Sequence, residues 1–301
     1  MRWRGNRKSS NVEDRRNMRV SGLSGSSGTG VLRLLPIVLK FLGFKGTVIL
    51  VLAVGTYGLF TGNLGNMLGA LGLQQSTATM SAEPLQETAQ EKELVEFVSV
   101  VLADTEETWT TLFREKGKTY QEPRLVLFRD AVKSACGMAQ SATGPFYCPS
   151  DQQVYIDLGF YDQLKEQFDA PGDFAQAYVI AHEVGHHIQT LLGISSQVLA
   201  ARNKLNEVDG NKLSVRQELQ ADCFAGVWAN HADSARQLLE AGDVEEGLTA
   251  ASAIGDDTLQ QQSQGYVRPD SFTHGSSAQR MKWFKIGLAG GDMDSCDTFN
   301  N

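Results

Sequence analysis

Phe174-Ala-Gln-Ala-Tyr-Val-Ile-Ala-His182-Glu183-Val-Gly-His186-His187-Ile-Gln-Thr-Leu-Leu192 is the stretch on which the reading of this 301-residue chain turns. Its pattern is helical, and within it lies His-Glu-x-x-His. Two histidines four apart stand one turn above each other, with Cβ atoms about 5–6 Å apart, so both imidazoles reach one ion at about 2.0–2.1 Å. Glu183 projects about a quarter turn away, where it can take a proton from zinc-activated water without occupying a coordination position. Val179, Ile180, Val184, Gly185 and Ile188 around the motif are uncharged or apolar, as a helix beneath an active site requires. Two surface histidines beside a glutamate would carry more charge nearby.

A catalytic zinc takes three protein ligands and keeps a fourth position for water. The best third ligand is Glu218, in Ser214-Val-Arg-Gln-Glu218-Leu-Gln-Ala-Asp222-Cys-Phe-Ala-Gly-Val-Trp228; its rivals are Glu207, His187 and His231. Ala221, Ala225 and Gly226 let this second helix approach the first closely. Asp222, one turn after Glu218, is placed to accept from a ligating imidazole and fix its tautomer. His187, adjoining His186, points about 100° off the ligand face. Further on, Phe272-Thr-His274-Gly-Ser-Ser-Ala-Gln-Arg280 puts a histidine at the mouth of a helix with an arginine six residues later. His274 can donate to the oxyanion of a tetrahedral intermediate, and Arg280 adds positive charge there.

Ala181-His-Glu-Val-Gly-His-His-Ile, Gln217-Glu-Leu-Gln-Ala-Asp-Cys-Phe-Ala-Gly and Thr273-His-Gly-Ser-Ser-Ala-Gln-Arg together resemble the neutral zinc metallopeptidase family of bacteria, membrane-anchored proteins of zincin type. The likeness runs through Gly144-Pro-Phe-Tyr-Cys-Pro-Ser-Asp151 and Val154-Tyr-Ile-Asp157. The order of motifs is also similar to that in membrane peptidases that include the CAAX prenyl endopeptidases. By that resemblance His182, His186 and Glu218 are the ligands of one Zn2+ per chain, Glu183 the general base and His274 the transition-state donor. Gly275 stands where that relative usually has proline.

The rest of the chain supplies the setting. At 42% hydrophobic and 21% charged residues it is neither disordered nor collagen-like. The net charge of −8 divides unevenly. Residues 1–45 hold ten Lys/Arg against two acids, and the remainder seventeen against thirty-three. Between Gly46 and Ala82 no residue is charged, and Thr47–Phe60 is densely apolar. One transmembrane helix of about 20 residues fits there, at roughly 47–68. The basic lead then marks its cytoplasmic flank.

The expected organisation is a disordered basic cytoplasmic tail over 1–30, an anchor region over 31–72, a linker over 73–84 and the peptidase domain over 85–301, outside the cytoplasm. Nucleic acid is excluded as a partner, since only Trp3 offers an aromatic platform in the basic lead. The expected partners are a peptide or protein substrate and the bilayer.

The domain reads as α+β, mainly helical, with strands at Arg124–Phe128 and Gln153–Leu158 and a hairpin or loop between Ser134 and Tyr147. The second strand is expected to be a sheet edge along which a peptide pairs. The cysteines favour disulfides Cys136 with Cys148 and Cys223 with Cys296. The function expected is that of a membrane-anchored zinc endopeptidase. A non-catalytic zinc-holding or partner-binding envelope module is the other reading, against which intact Glu183 argues, because such a module needs no base.

Overall fold

The computed structural model describes residues 1–21, 79–82, 85–141 and 144–300. Two units divide the chain: Met1–Met18 together with Glu83–Asn301, and Arg19–Ala82. The larger unit is α+β and mainly helical. Thr88 caps its first helix, α1 (Ala89–Glu115). The Thr88 hydroxyl accepts the Glu91 N–H at 3.1 Å, while the Thr88 N–H donates to the Glu91 carboxylate at 2.9 Å, satisfying two otherwise orphaned groups at once. One face of α1, with Phe97, Val98, Val101 and Leu102, is fully buried.

The described strands are β1 (Val12–Asp14), β2 (Met18–Ser21), β3 (Thr79–Ala82), β4 (Arg124–Phe128), β5 (Ala131–Ser134), β6 (Gly137–Gln140), β7 (Phe146–Cys148) and β8 (Gln153–Asp157). The main sheet has the order β1-β4-β8-β7. β1 and β4 run parallel, as do β4 and β8, with Leu125 opposite Val154. β7 returns antiparallel to β8, with Tyr147 opposite Val154. β5 and β6 form a hairpin, and β2 pairs with β3 in a two-stranded sheet.

The expectation that Gln153–Leu158 is a sheet edge is corrected here. β8 is interior, hydrogen-bonded on both sides, and its residues Val154–Asp157 are all buried. A strand read from local apolar content carries no information about its neighbours, and the edge nearest the metal helix is β7.

Among the described residues seven α-helices follow α1: α2 (Gly159–Glu166), α3 (Asp173–Leu191), α4 (Ile194–Arg202), α5 (Glu207–Arg236), α6 (Asp243–Ala253), α7 (Asp256–Gln264) and α8 (Ser277–Gly290). α3 is the hub, packing on α1, α5, α6 and the sheet strands β7 and β8. Glycine permits close approaches between helices. A Cβ on Gly185 in α3 would lie 3.0 Å from the Ala221 backbone in α5. On Gly287 in α8 it would lie 1.9 Å from the Cys223 carbonyl oxygen. Of the small residues read from sequence, Ala221 does meet α3, whereas Gly226 faces Phe284 and Leu288 of α8. Disulfides join Cys136 to Cys148 and Cys223 to Cys296.

At the amino terminus the structure departs further from the expectation. Residues 1–18 are no disordered tail: they belong to the larger unit. Met1 and Trp3 are buried, and the Trp3 indole packs edge-on against Phe97 at 5.4 Å between ring centres. Arg2 N–H donates to the Leu238 carbonyl at 2.8 Å and Ser9 N–H to the Ser99 carbonyl at 2.9 Å. The Met1 ammonium lies 2.9 Å from Asp173 and 3.1 Å from Glu240. Composition suggested a solvated tail because the acids that neutralise it lie 70 to 240 residues away in sequence. The linker expected over 73–84 likewise contains β3. The anchor region, 31–72, lies outside the described residues. Among those described, no helix is long and apolar enough to cross a membrane.

Candidate metal centre

α3 carries His182, Glu183 and His186, and α5 carries Glu218 and Asp222; the Gly185–Ala221 contact sets the two helices close enough for their side chains to converge. Nε2 of His182 lies 3.2 Å from Oε2 of Glu218, and Nε2 of His186 lies 3.3 Å from the same oxygen. Ligands at about 2.0–2.1 Å from a tetrahedral zinc stand about 3.3 Å from one another. The two contacts to Glu218 match that edge, and the three donor atoms all lie within 4.8 Å of one another. The residues present therefore fit a zinc ion.

The far nitrogens of both imidazoles are held by acceptors. Nδ1 of His182 donates to Oδ1 of Asp222 at 2.8 Å, and Nδ1 of His186 donates to Oε1 of Gln189 at 2.9 Å. Gln189 is itself fixed, its amide donating to the Gln217 carbonyl at 2.6 Å. Each arrangement selects the tautomer whose Nε2 lone pair faces the metal position. Asp222 is fully buried and also accepts from Arg280, through Nε and Nη2 at 2.9 Å each, and from the Tyr178 hydroxyl.

Burial opposes charge on these groups, and their neighbours overcome it. Asp222 is driven down to about 2, the Arg280 guanidinium and His182 outweighing burial. His182, despite burial, is held up at about 10 by Asp222 and Glu218. Glu218 sits well below the usual carboxylate range, burial being outweighed by His186 and His182. Surroundings that favour positive charge this strongly also favour a divalent cation.

The centre opens into a cavity of about 420 Å³. His182, Glu183, His186, Glu218 and His274 line it, and Phe146, Tyr147, Phe160, Phe168, Ile254 and Leu259 add apolar and aromatic surface. A larger cavity of about 620 Å³, lined by Leu192, Val198, Phe224 and Cys296 among others, contains none of the ligands. His274 reaches the site from the loop before α8. Oδ2 of Asp256 accepts the backbone N–H groups of Thr273, His274 and Gly275 at 2.7, 2.6 and 3.0 Å, and Oδ1 lies 3.3 Å from Nδ1 of His274. The hydrogen bond to Asp256 raises the His274 imidazole above its ordinary value, against partial burial. Gly275 has φ +95°, which proline, locked near −65°, cannot adopt; hence the departure from Thr-His-Pro.

The remaining sequence candidates fall elsewhere. Arg280 touches the cavity, but its guanidinium is taken up by Asp222, by the Tyr178 hydroxyl at 3.2 Å and by the Ile254 carbonyl at 3.3 Å. It sits behind His182 and is not free to face an oxyanion. His187 is held between the Tyr147 hydroxyl at 3.0 Å and the Gln121 carbonyl at 2.6 Å. His231 faces the Gly291 carbonyl, and Glu207 is exposed at the start of α5.

Sequence reasoning missed Tyr178, Gln189 and Asp256. The first two carry a usable signal, lying four residues before His182 and three after His186, on the ligand face of α3. Asp256 carries none. A second acidic group, Asp173, Asp243 and Glu246, also clusters closely enough for a cation, but the Met1 ammonium already sits on Asp173 and Asp243.

Two imidazoles one turn apart, a glutamate between them and a carboxylate from a second helix define a metallopeptidase-type centre. The chain belongs to the family described as "Putative neutral zinc metallopeptidase", whose model matches residues 1–299. It is 50% identical over 299 residues to the Uncharacterized protein YpfJ of Escherichia coli, covering 99% of each chain. It is 44% identical over 191 residues to an uncharacterized protein of Mycobacterium tuberculosis, covering 60% of this chain and 64% of that one. No solved structure matches.

Proposed function

We propose that this protein is a membrane-anchored, zinc-dependent endopeptidase. The observation that carries the reading is the convergence of His182 and His186 on one oxygen of Glu218, at 3.2 and 3.3 Å, on the wall of a cavity that also holds Glu183. Zinc, when bound there, supplies Lewis acidity to the attacking water and to the scissile carbonyl. Glu183 takes the proton of that water and passes it to the leaving amine. His274, oriented by Asp256, donates to the oxygen that becomes negative in the tetrahedral intermediate. Asp222 and Arg280 hold the His182 ring in place.

An extended peptide fits β7, the edge strand among the described residues, whose Phe146 and Tyr147 line the cavity, in the manner of strand addition. Phe160, Phe168, Ile254 and Leu259 favour a bulky apolar side chain beside the scissile bond. The uncharged residues 47–68 anchor the chain in a membrane, and the two disulfides suit an oxidising compartment.

The test uses the full-length purified chain. Elemental mass spectrometry is expected to find one zinc per chain, and a peptide library to be cleaved by the wild type. Zinc at one per chain with no peptide cleaved would favour a non-catalytic zinc-holding module instead.

A further inference from the structure

We infer that residues Met1–Met18 and the metal centre lie on the same side of the membrane. The inference rests on the proposed membrane insertion of residues 47–68. It replaces the single crossing that the basic lead suggests, with the amino terminus on one side and the catalytic domain on the other.

Val12, Glu13 and Asp14 of β1 stand opposite Leu125, Val126 and Leu127 of β4. The Leu125 N–H donates to the Asn11 carbonyl at 2.9 Å, and the Arg15 N–H to the Leu127 carbonyl at 2.8 Å. β4 pairs in turn with β8, and β8 with β7 at the mouth of the metal cavity. A bilayer core of about 30 Å between β1 and β4 would break this ladder and withdraw Trp3 from Phe97. A single crossing between the two segments requires that separation. The flanks of the intervening stretch agree: β2 and β3, which precede and follow it, are hydrogen-bonded neighbours.

The charges agree as well. Every Lys or Arg before Met18 faces an acid. Arg7 pairs with Glu106 at 3.1 Å, Lys8 with Glu96 at 2.7 Å, Arg16 with Glu87 at 2.6 Å, Arg4 with Glu93, Arg2 with Glu240 at 3.7 Å and Arg15 with Glu13 at 2.6 Å. Five of the six acids belong to the catalytic domain. The positive-inside rule counts basic residues near a span, but charges folded onto acids of the peptidase domain must travel with that domain. The basic lead is therefore an internal ion-pair partner of the acidic domain. Of the ten basic residues that argued for a cytoplasmic amino terminus, only Arg19, Arg33, Lys40 and Lys45 remain in that role.

The full-length chain in bacterial membranes tests this. All four native cysteines are in disulfides, so single substitutions at the exposed Ser10 and Ser234, Ser10→Cys and Ser234→Cys, report separately with a membrane-impermeant maleimide. Both are expected to react to the same extent, within about twofold, under each condition: intact cells, spheroplasts and detergent. Reaction of Ser234→Cys before lysis with Ser10→Cys reacting only afterwards, or the reverse, overturns the inference. An impermeant amine-reactive ester on the unsubstituted chain, read by mass spectrometry at Lys8 and Lys204, makes the same comparison if a variant does not accumulate. Alkaline carbonate extraction separates the underlying reading: release of the chain from the membrane overturns membrane insertion itself, whereas retention with opposite labelling overturns only the shared side.

Discussion

Asp222 accepts the Nδ1–H of His182 at 2.8 Å from the helix turn that follows Glu218, so one face of α5 holds both ends of the same imidazole. The same carboxylate neutralises buried Arg280. Asp222→Ala is expected to lower zinc affinity about 10- to 100-fold. It is also expected to destabilise the domain by about 3–5 kcal/mol, because it strands a buried guanidinium. Chelator competition reads the first effect and thermal unfolding the second; unchanged zinc affinity would remove Asp222 from the centre.

Glu183 is not among the three converging donors and faces the same cavity. Glu183→Gln should keep one zinc per chain and lose peptide cleavage by at least about 10²-fold, the lower end of what a positioned general base contributes. Zinc content and cleavage rate are measured on the same preparation. A variant that still cuts at the wild-type rate would overturn the role.

The Asp256–His274 contact predicts a pH dependence. The hydrogen bond to Asp256 raises the His274 pKa above the ordinary histidine value, so the imidazolium persists to higher pH than that of a free histidine and is lost as pH rises through the raised value. Donation by His274 then requires activity to fall on that alkaline side. Asp256→Asn removes the charge that holds the proton and should move the falling limb to lower pH. The pH profile of kcat/KM checks this; a limb that stays in place argues that another group titrates. The stability that the contact contributes follows the same sign, being complete below the ordinary histidine pKa and lost as pH rises through the raised one.

A Cβ on Gly185 would meet the Ala221 backbone at 3.0 Å. Gly185→Ala is expected to push α3 from α5 and cost about 1–3 kcal/mol, with weaker zinc binding as the readout that a purely local strain would not produce. Titration with a zinc-competing dye and thermal unfolding, run side by side, separate the two effects.

Trp3 is 4% exposed against Phe97. Trp3→Ala should cost about 3–5 kcal/mol, and a chain beginning at residue 85, which lacks β1 as well, should unfold at lower denaturant than the full-length protein. Chemical denaturation in detergent measures both. Equal stability of the truncated and full chains would show that the amino-terminal segment is an ornament of the fold.

How much of this was legible beforehand depends on the range of the interaction. The metal motif was readable because helical periodicity places His182, Glu183 and His186 by local geometry alone, and Glu218 and Asp222 follow the same rule on their own helix. The strands at Arg124–Phe128 and Gln153–Asp157 were readable from apolar content flanked by turn residues. Their order was not, since the residues that make β8 interior and β7 an edge come from distant parts of the chain. Arg280 read as a charge for the oxyanion because its spacing from His274 was visible, while its partner Asp222, 58 residues earlier, was not. Asp256 left no local trace, because it acts on backbone N–H groups that any residue supplies.

The sharpest division falls at the amino terminus. Sequence alone determined that residues 1–45 are basic, that 46–82 are uncharged and that one helix bears His182 and His186 a turn apart, each a property of neighbours along the chain. Only the tertiary structure decided that the basic residues pair with the acids of the peptidase domain, that Trp3 is core and that β1 is a strand of the sheet beside the metal site. Charge and hydropathy report what a segment would do in water or lipid alone; they do not report which distant surface is complementary to it, and that complementarity is what folding settles.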